Sequence, residues 1–245
     1  MKLDRITLVG MVAMTAVSTD LYLSGIPLIV AEFNAPQADG QLTLGIFMIG
    51  ISLGQLIYGP LSDYYGRKPV LYVGLITYII ASLACAMAPS IQALWFARLC
   101  QGLAAAAGPV LARAIVADLY SAREAAKIMA MLLASMALIP LIAPVLGSWM
   151  LYWFDWRMQF IALMLIGLLV LLSAIPLPES RPRIIGESLS FGKISRQFGI
   201  SLRHPIFMGY SLIAGAQFSA MFSWISLCSF VVIDQFNVRP EHFGY

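Results

Sequence analysis

Seven runs of about twenty predominantly apolar residues divide this chain, near 6–29, 42–61, 70–88, 92–113, 127–151, 157–177 and 206–233. About twenty such residues carry a helix across a bilayer core. In hydrocarbon, only helices and closed barrels satisfy every backbone polar group. The expected fold class is therefore an all-α polytopic membrane protein. Composition points the same way, with 60% hydrophobic and 11% charged residues against about a quarter charged in soluble domains. Such apolar richness also excludes a disordered chain. The net charge is +3 and no Lys/Arg block of five or more occurs, so nucleic acid is not an expected partner.

Turn-forming residues separate the runs: Asn34-Ala35-Pro36, Asp39-Gly40, Gly66-Arg67-Lys68-Pro69 and Ala88-Pro89-Ser90. The start reads as a retained first span, because its apolar run is too long for a signal peptide and contains Asp20. Cys85, Cys100 and Cys228 are odd in number and lie far apart, which suits small buried hydrophobes. His204 and His242 have no nucleophile at a known spacing, and no phosphate-cradling Gly-rich loop occurs. No enzyme activity, metal or cofactor is expected.

Orientation follows from Lys and Arg, which cytoplasmic loops retain. Twelve of the 15 fall on one side: Lys2, Arg5, Arg67, Lys68, Arg113, Arg123, Lys127, Arg181, Arg183, Lys193, Arg196 and Arg203. Arg157 and Arg239 fall on the other, and Arg98 lies inside a span. The N-terminus is thus expected in the cytoplasm. The organisation reads as a six-span bundle over 1–177, a cytoplasmic linker over 178–204, and the start of a second bundle over 205–245. Six spans, a basic loop and one more span suit a transporter built from two six-span repeats, cut before its eighth span. A complete seven-span receptor is the alternative, but it would place its N-terminus outside.

Two ionisable residues lie deep in spans, Asp20 and Arg98. Intramembrane charges are costly and mark functional sites by default. Counted at about 1.5 Å per helical residue, the two stand at comparable depth. They are expected to share a polar cavity and pair across it. A carboxylate whose proton affinity depends on a nearby guanidinium suits cation or proton coupling, and a static ion pair is the plainer possibility. Gly50, Gly54, Gly102 and Gly108 suit close helix packing. Pro27, Pro109, Pro140 and Pro144 permit kinks. Trp149, Tyr152, Trp153 and Trp156 read as interface anchors.

The connection between the second and third spans reads Gly59-Pro-Leu61-Ser62-Asp63-Tyr-Tyr-Gly66-Arg67-Lys68-Pro69-Val-Leu71. Gly66 suits a reversal needing positive φ. Asp63 and Arg67 would pair at i,i+4 if locally helical. The segment resembles the signature loop of the major facilitator superfamily, with Tyr64 departing where a basic residue is usual. The resemblance implies a major facilitator fold and a cytoplasmic gating loop of Gly59, Asp63, Gly66, Arg67 and Lys68. Arg113 and Asp118 are possible charge partners there. Arg98-Leu-Cys-Gln101-Gly102 looks like that superfamily's fourth-helix element associated with proton coupling, which adds Gln101 to the site. Ala143-Pro144-Val-Leu-Gly147-Ser148 resembles the fifth-helix antiporter element, with Ala143 and Ser148 replacing glycines.

Ser18-Thr-Asp20-Leu-Tyr22 through Pro27, Gly54-Gln55-Leu-Ile-Tyr58, Arg113 through Tyr120 and Pro240-Glu241-His-Phe243 are similar to the Bcr/CflA subfamily of drug–proton antiporters. That likeness implies proton-coupled efflux of small drug-like molecules by alternating access. Known relatives carry bicyclomycin, sulfonamides, chloramphenicol-like compounds or small metabolites. The expected setting is a cell inner membrane, with a monomer in the lipid bilayer exchanging substrate for protons. A metabolite facilitator or importer of the same superfamily, or a non-transporting scaffold, are the other readings.

Overall fold

The computed structural model describes residues 2–181, 199–200, 202–232, 236 and 239. Among them regular structure is entirely helical. Seven helical segments are long and apolar enough to cross a membrane: Arg5–Glu32, Gln37–Tyr65, Arg67–Ala86, Ile91–Leu119, Ala122–Trp153, Arg157–Ala174 and Pro205–Ile225. They are called the first to seventh spans below. Most of the linker expected over 178–204, and the segment 240–245, lie outside the described residues.

The first, second, fourth and fifth helices overrun the apolar windows that announce them at both ends, whereas the third and sixth stop two and three residues short at their C-terminal ends. Their ends are set by turn and cap chemistry, not by the edge of the hydrophobic run. Pro36 holds extended backbone (ψ 150°) before the second span. Gly66 closes it at φ 97°, where a Cβ would strain the chain. Ser90 accepts from the Ala93 amide at 3.2 Å to open the fourth. The Ser121 hydroxyl donates to Glu124 at 2.9 Å as the fifth begins. One consequence is that Arg113, expected as the last residue of the fourth span, has six further helical residues after it.

Two spans are broken inside. The first runs as helix to Asp20, tightens into a 3-10 turn over Leu23–Gly25, and resumes at Ile26. Pro27 lies at the start of that second piece, where its missing N–H does no harm. The fourth breaks at Ala106, between helices Ile91–Ala105 and Ala107–Leu119. Pro109 has no N–H for the Ala105 carbonyl. Thr15 of the first span takes up that carbonyl through its hydroxyl, at 2.9 Å.

The second span packs along the fourth, the first along the fifth, and the third between the fourth and sixth. Exchanging spans one to three for four to six maps the second–fourth crossing onto the fifth–first crossing. Both crossings are made by glycine. A Cβ on Gly102 would overlap the Phe47 carbonyl, and one on Gly147 would overlap the Leu21 carbonyl. Small residues let backbones meet in lipid, where no hydrophobic drive holds helices together. The first and fourth spans form the buried centre, and the fifth is the least buried of the six. The seventh touches the bundle through Phe222 and Ile225.

Candidate functional site

Arg98 is fully buried in the middle of the six spans. Removing a guanidinium from water costs several kcal/mol unless it is compensated. Aromatic faces supply part of the compensation. The guanidinium carbon lies 4.2 Å from the Tyr22 ring centroid, 3.9 Å from that of Phe47 and 5.8 Å from that of Phe160. Desolvated contacts of this kind are worth about 2 kcal/mol. Phe47 reaches Arg98 because Gly102 lets the second span's backbone lie against the fourth. Hydrogen bonds supply a further part: Nη1 donates to Gln101 Oε1 at 2.7 Å and to the Ser18 carbonyl at 3.2 Å. Nε and Nη2, also buried, have no partner.

Gln101 is thus brought to Arg98 as expected from the sequence. Asp20 is not. It lies at the break of the first span, 5% exposed, and among the described residues no ion pair or hydrogen bond reaches it. The expectation that Asp20 and Arg98 pair is therefore corrected. The aromatic rings and the Ser18 carbonyl take the place the carboxylate was expected to fill. An unmade hydrogen bond of a buried neutral group costs about 1–3 kcal/mol, and one of a charged group costs more. The guanidinium therefore keeps two donors in search of an acceptor.

Sequence reasoning passed over the third-span side chains behind this site. Gln101 Nε2 donates to Ser82 at 2.8 Å, and Tyr78 and Ser18 share a hydrogen bond of 2.5 Å between hydroxyls. Buried serines on an otherwise apolar run were the available signal.

The loop charges gather at the end of the bundle where the chain begins. Arg67 is buried and binds Asp63 through Nη1 at 2.8 Å, Asp118 through Nε at 2.9 Å and Ser62 Oγ at 2.6 Å. The i,i+4 pair read from the sequence is present, and Asp118 is a partner. Arg113 instead donates to its own helix at the Pro109 carbonyl, 2.9 Å away. A Cβ on Gly59 would meet nothing within 4 Å, whereas one on Gly66 would crowd Glu179 and the Arg181 carbonyl.

Glu179 was not singled out by its sequence. Its carboxylate accepts from the amides of Arg67 at 2.9 Å and Lys68 at 3.0 Å. It thereby caps the third span from beyond the sixth, where a helix N-terminus favours negative charge. Lys68 returns the contact: Nζ donates to the Ile175 carbonyl, 2.7 Å away, at the end of the sixth span. Arg181 adds a contact to Asp63 at 3.1 Å. That pair is exposed on both sides and contributes little.

At the opposite end, Trp156 departs from its reading as an interface anchor. It is 1% exposed. Its Nε1 donates to Glu32 at 2.6 Å, and its ring meets Phe33 and Phe160 edge-on. Arg157 closes the group on Glu32 at 2.7 Å. Trp149, Tyr152 and Trp153 are exposed.

The fifth-span residues Ala143, Pro144 and Gly147 lie along a helix that stays continuous through its prolines. Ala143 lines an apolar groove of about 390 Å³ with Val17, Leu21, Leu146 and Ile166. Gly147 lies on the first span, and its carbonyl accepts from buried Gln159 Nε2 at 3.0 Å.

Known proteins resemble this chain in sequence and in fold. The chain is 37% identical over 248 residues to "Uncharacterized MFS-type transporter YdgK" of Bacillus subtilis (strain 168), covering 98% of this chain and 62% of that one. It is 30% identical to a bicyclomycin resistance protein homolog of Haemophilus influenzae, covering 92% and 57%. It is 31% identical to "Multidrug resistance protein MdtL" of Escherichia coli O9:H4 (strain HS), covering 88% and 54%. The chain spans about three fifths of the length of these curated relatives, which are transporters and not enzymes.

Solved structures agree on fold. A D-xylose-proton symporter superposes with TM-score 0.67 at 17% identity over 98% of this chain and 64% of that one. A bacterial homolog of the human lysosomal transporter Spinster, inward-facing and occupied, gives 0.74 at 18% over 99% and 56%. The model of the family described as the Major Facilitator Superfamily matches residues 7–240, and the chain belongs to that superfamily.

Proposed function

We propose that this chain is part of a proton-coupled exporter of small drug-like molecules, of the Bcr/CflA type, working by alternating access. The buried guanidinium left without a carboxylate at the centre of the bundle carries this reading. Arg98 offers an unpartnered Nε–Nη2 edge, the edge whose fork matches a carboxylate, and Asp20 is buried without a partner. In one state Asp20 would be protonated and apart from Arg98. In the other it would be ionised and held against that edge. The break of the first span just after Asp20 gives the carboxylate a place to move. Gln101 holds the opposite edge of the guanidinium.

The drug-resistance names of two relatives support small drug-like cargo. The twelve-to-two distribution of basic residues supports a cytoplasmic N-terminus in a cell inner membrane. The six-span bundle over 1–177, a linker over 178–204 and a second bundle opening at 205 support a two-repeat protein acting as a monomer. In that frame the Asp63, Arg67, Lys68 and Asp118 cluster lies on the cytoplasmic face, where it would latch the gate, with Gly66 shaping the turn and Gly59 one of the last helical residues before it. Ala143, Pro144 and Gly147 would let the fifth span flex against the first.

The test is Asp20→Asn in the complete gene product in everted vesicles, with chloramphenicol as probe. Proton release on adding drug should disappear while the protein stays in the membrane. Wild-type proton release from that variant would remove Asp20 from the mechanism, and uptake in the import direction would favour a metabolite carrier.

A further inference from the structure

The hydrogen bonds behind Arg98 have a direction that can be read atom by atom. A serine hydroxyl has one hydrogen to give, and a glutamine amide has one donating and one accepting end. Ser82 gives its hydrogen to the Tyr78 carbonyl one turn back, at 2.8 Å. Its oxygen is left to accept, and Gln101 Nε2 fills it at 2.8 Å. That settles which way the amide faces. Oε1 is turned to Arg98 Nη1 at 2.7 Å and to the Cys85 thiol at 3.7 Å. The far end obeys the same rule. Ser18 gives its hydrogen to the Met14 carbonyl at 2.7 Å, so the Tyr78 hydroxyl donates to Ser18 Oγ. Ser82, Gln101, Tyr78 and Ser18 are all fully buried, so bulk water does not compete for these contacts.

We propose that Ser82 is a positioning residue for Arg98, acting through the amide of Gln101. With Ser82 in place, Oε1 must face the guanidinium and Nη1 is committed, so the edge left to offer is Nε–Nη2. Without it the Nε2 end has no anchor: Oε1 still belongs to the guanidinium, a donor-only group, but the amide is free to tilt, and its contacts to Nη1 and to the Cys85 thiol lengthen together. The functional consequence rests on the Asp20–Arg98 coupling proposed above, whereas the structural claim stands without it.

The Cys85 thiol is a reporter for this orientation, because it shares the Oε1 acceptor. The S–H stretch of Cys85, isolated by difference against Cys85→Ala, should move toward the free-thiol position in Ser82→Ala. An unmoved band overturns the proposal, whatever the protein transports. Alanine is smaller than serine and a strong helix former, so the variant should accumulate. Should it not, Ser82→Cys, whose sulfur accepts weakly, gives a smaller shift in the same direction when compared with its own Cys85→Ala pair.

Drug-driven proton release with chloramphenicol supplies the second arm. Ser82→Ala should lower it roughly fivefold, the size of one lost neutral hydrogen bond. In a Gln101→Ala background the same substitution should change nothing further. A shifted thiol band with unchanged proton release, or additive losses in the double variant, overturns the functional consequence and leaves Ser82 an anchor of Gln101 alone. If the wild-type protein moves no protons with drug, the transport reading fails, and the thiol band still decides whether Ser82 orients Gln101.

Discussion

Thr15 donates to the Ala105 carbonyl at 2.9 Å, the acceptor that Pro109 deprives of its helical donor. A polar side chain on the first span thus meets a backbone vacancy made by a proline on the fourth. Interhelical hydrogen bonds in membranes average about 0.6 kcal/mol and reach about 1.7. Thr15→Val should lower stability by about 1–2 kcal/mol, because the abandoned carbonyl is buried. In a Pro109→Ala background, where the helix can supply an N–H, the same substitution should cost less. Thermal unfolding of the four proteins of this cycle measures the difference, and equal costs in both backgrounds would refute the link.

The glycines divide into those that are crossed and those that are not. Gly102→Ala drives a methyl into the Phe47 carbonyl, so the second span must retreat and Phe47 must leave the guanidinium. A loss of about 1–3 kcal/mol, the usual scale of overpacking, is expected. Gly59→Ala meets open space and removes a glycine from a helix, so stability should hold or rise by up to about 1 kcal/mol. Melting temperatures of the two variants should therefore move in opposite directions or differ plainly in size.

Arg67 needs its fork. It serves two carboxylates and a hydroxyl from different nitrogens, and an ammonium cannot reproduce that geometry. Arg67→Lys should weaken the join between the second, third and fourth spans almost as much as Arg67→Ala. Near-wild-type melting of Arg67→Lys would show that charge alone suffices.

Glu179→Ala uncaps the third span. Loss of a cap costs about 1 kcal/mol, so amide exchange at Arg67 and Lys68 should quicken roughly fivefold. Exchange elsewhere in the third span should change less, and a uniform change would point to global loosening instead.

Glu32→Ala leaves the Trp156 indole N–H and Arg157 without their shared acceptor. In a protein keeping Trp156 as its one tryptophan, emission should shift to longer wavelength as water enters to satisfy the indole. An unchanged spectrum would mean that burial by Phe33 and Phe160 holds the ring unaided.

The spans were legible because hydrocarbon demands about twenty apolar residues and few charges. Asp20 and Arg98 stood out for the same reason, as charges where charges are expensive. Gly66 was legible from the turn it must make. The relation between Asp20 and Arg98 was not. Depth along a helix says nothing of azimuth, and three aromatic faces stand where the carboxylate was expected as the guanidinium's neighbour. Trp156 was misjudged because an aromatic at a span end looks the same whether it faces headgroups or the Glu32 carboxylate. Glu179 acts on backbone amides more than a hundred residues away, and backbone leaves no mark in a side-chain pattern.

Where the second and fourth spans cross, Gly50, Gly54 and Gly102 bring main chain against main chain. An ordinary helix contact carries a layer of side chains that can hop rotamers and let one rod slide past the other. Here that layer is missing. With backbone set against backbone at three glycines along the contact, the two rods are keyed to one another, and displacing either along its axis would drive main chain into main chain.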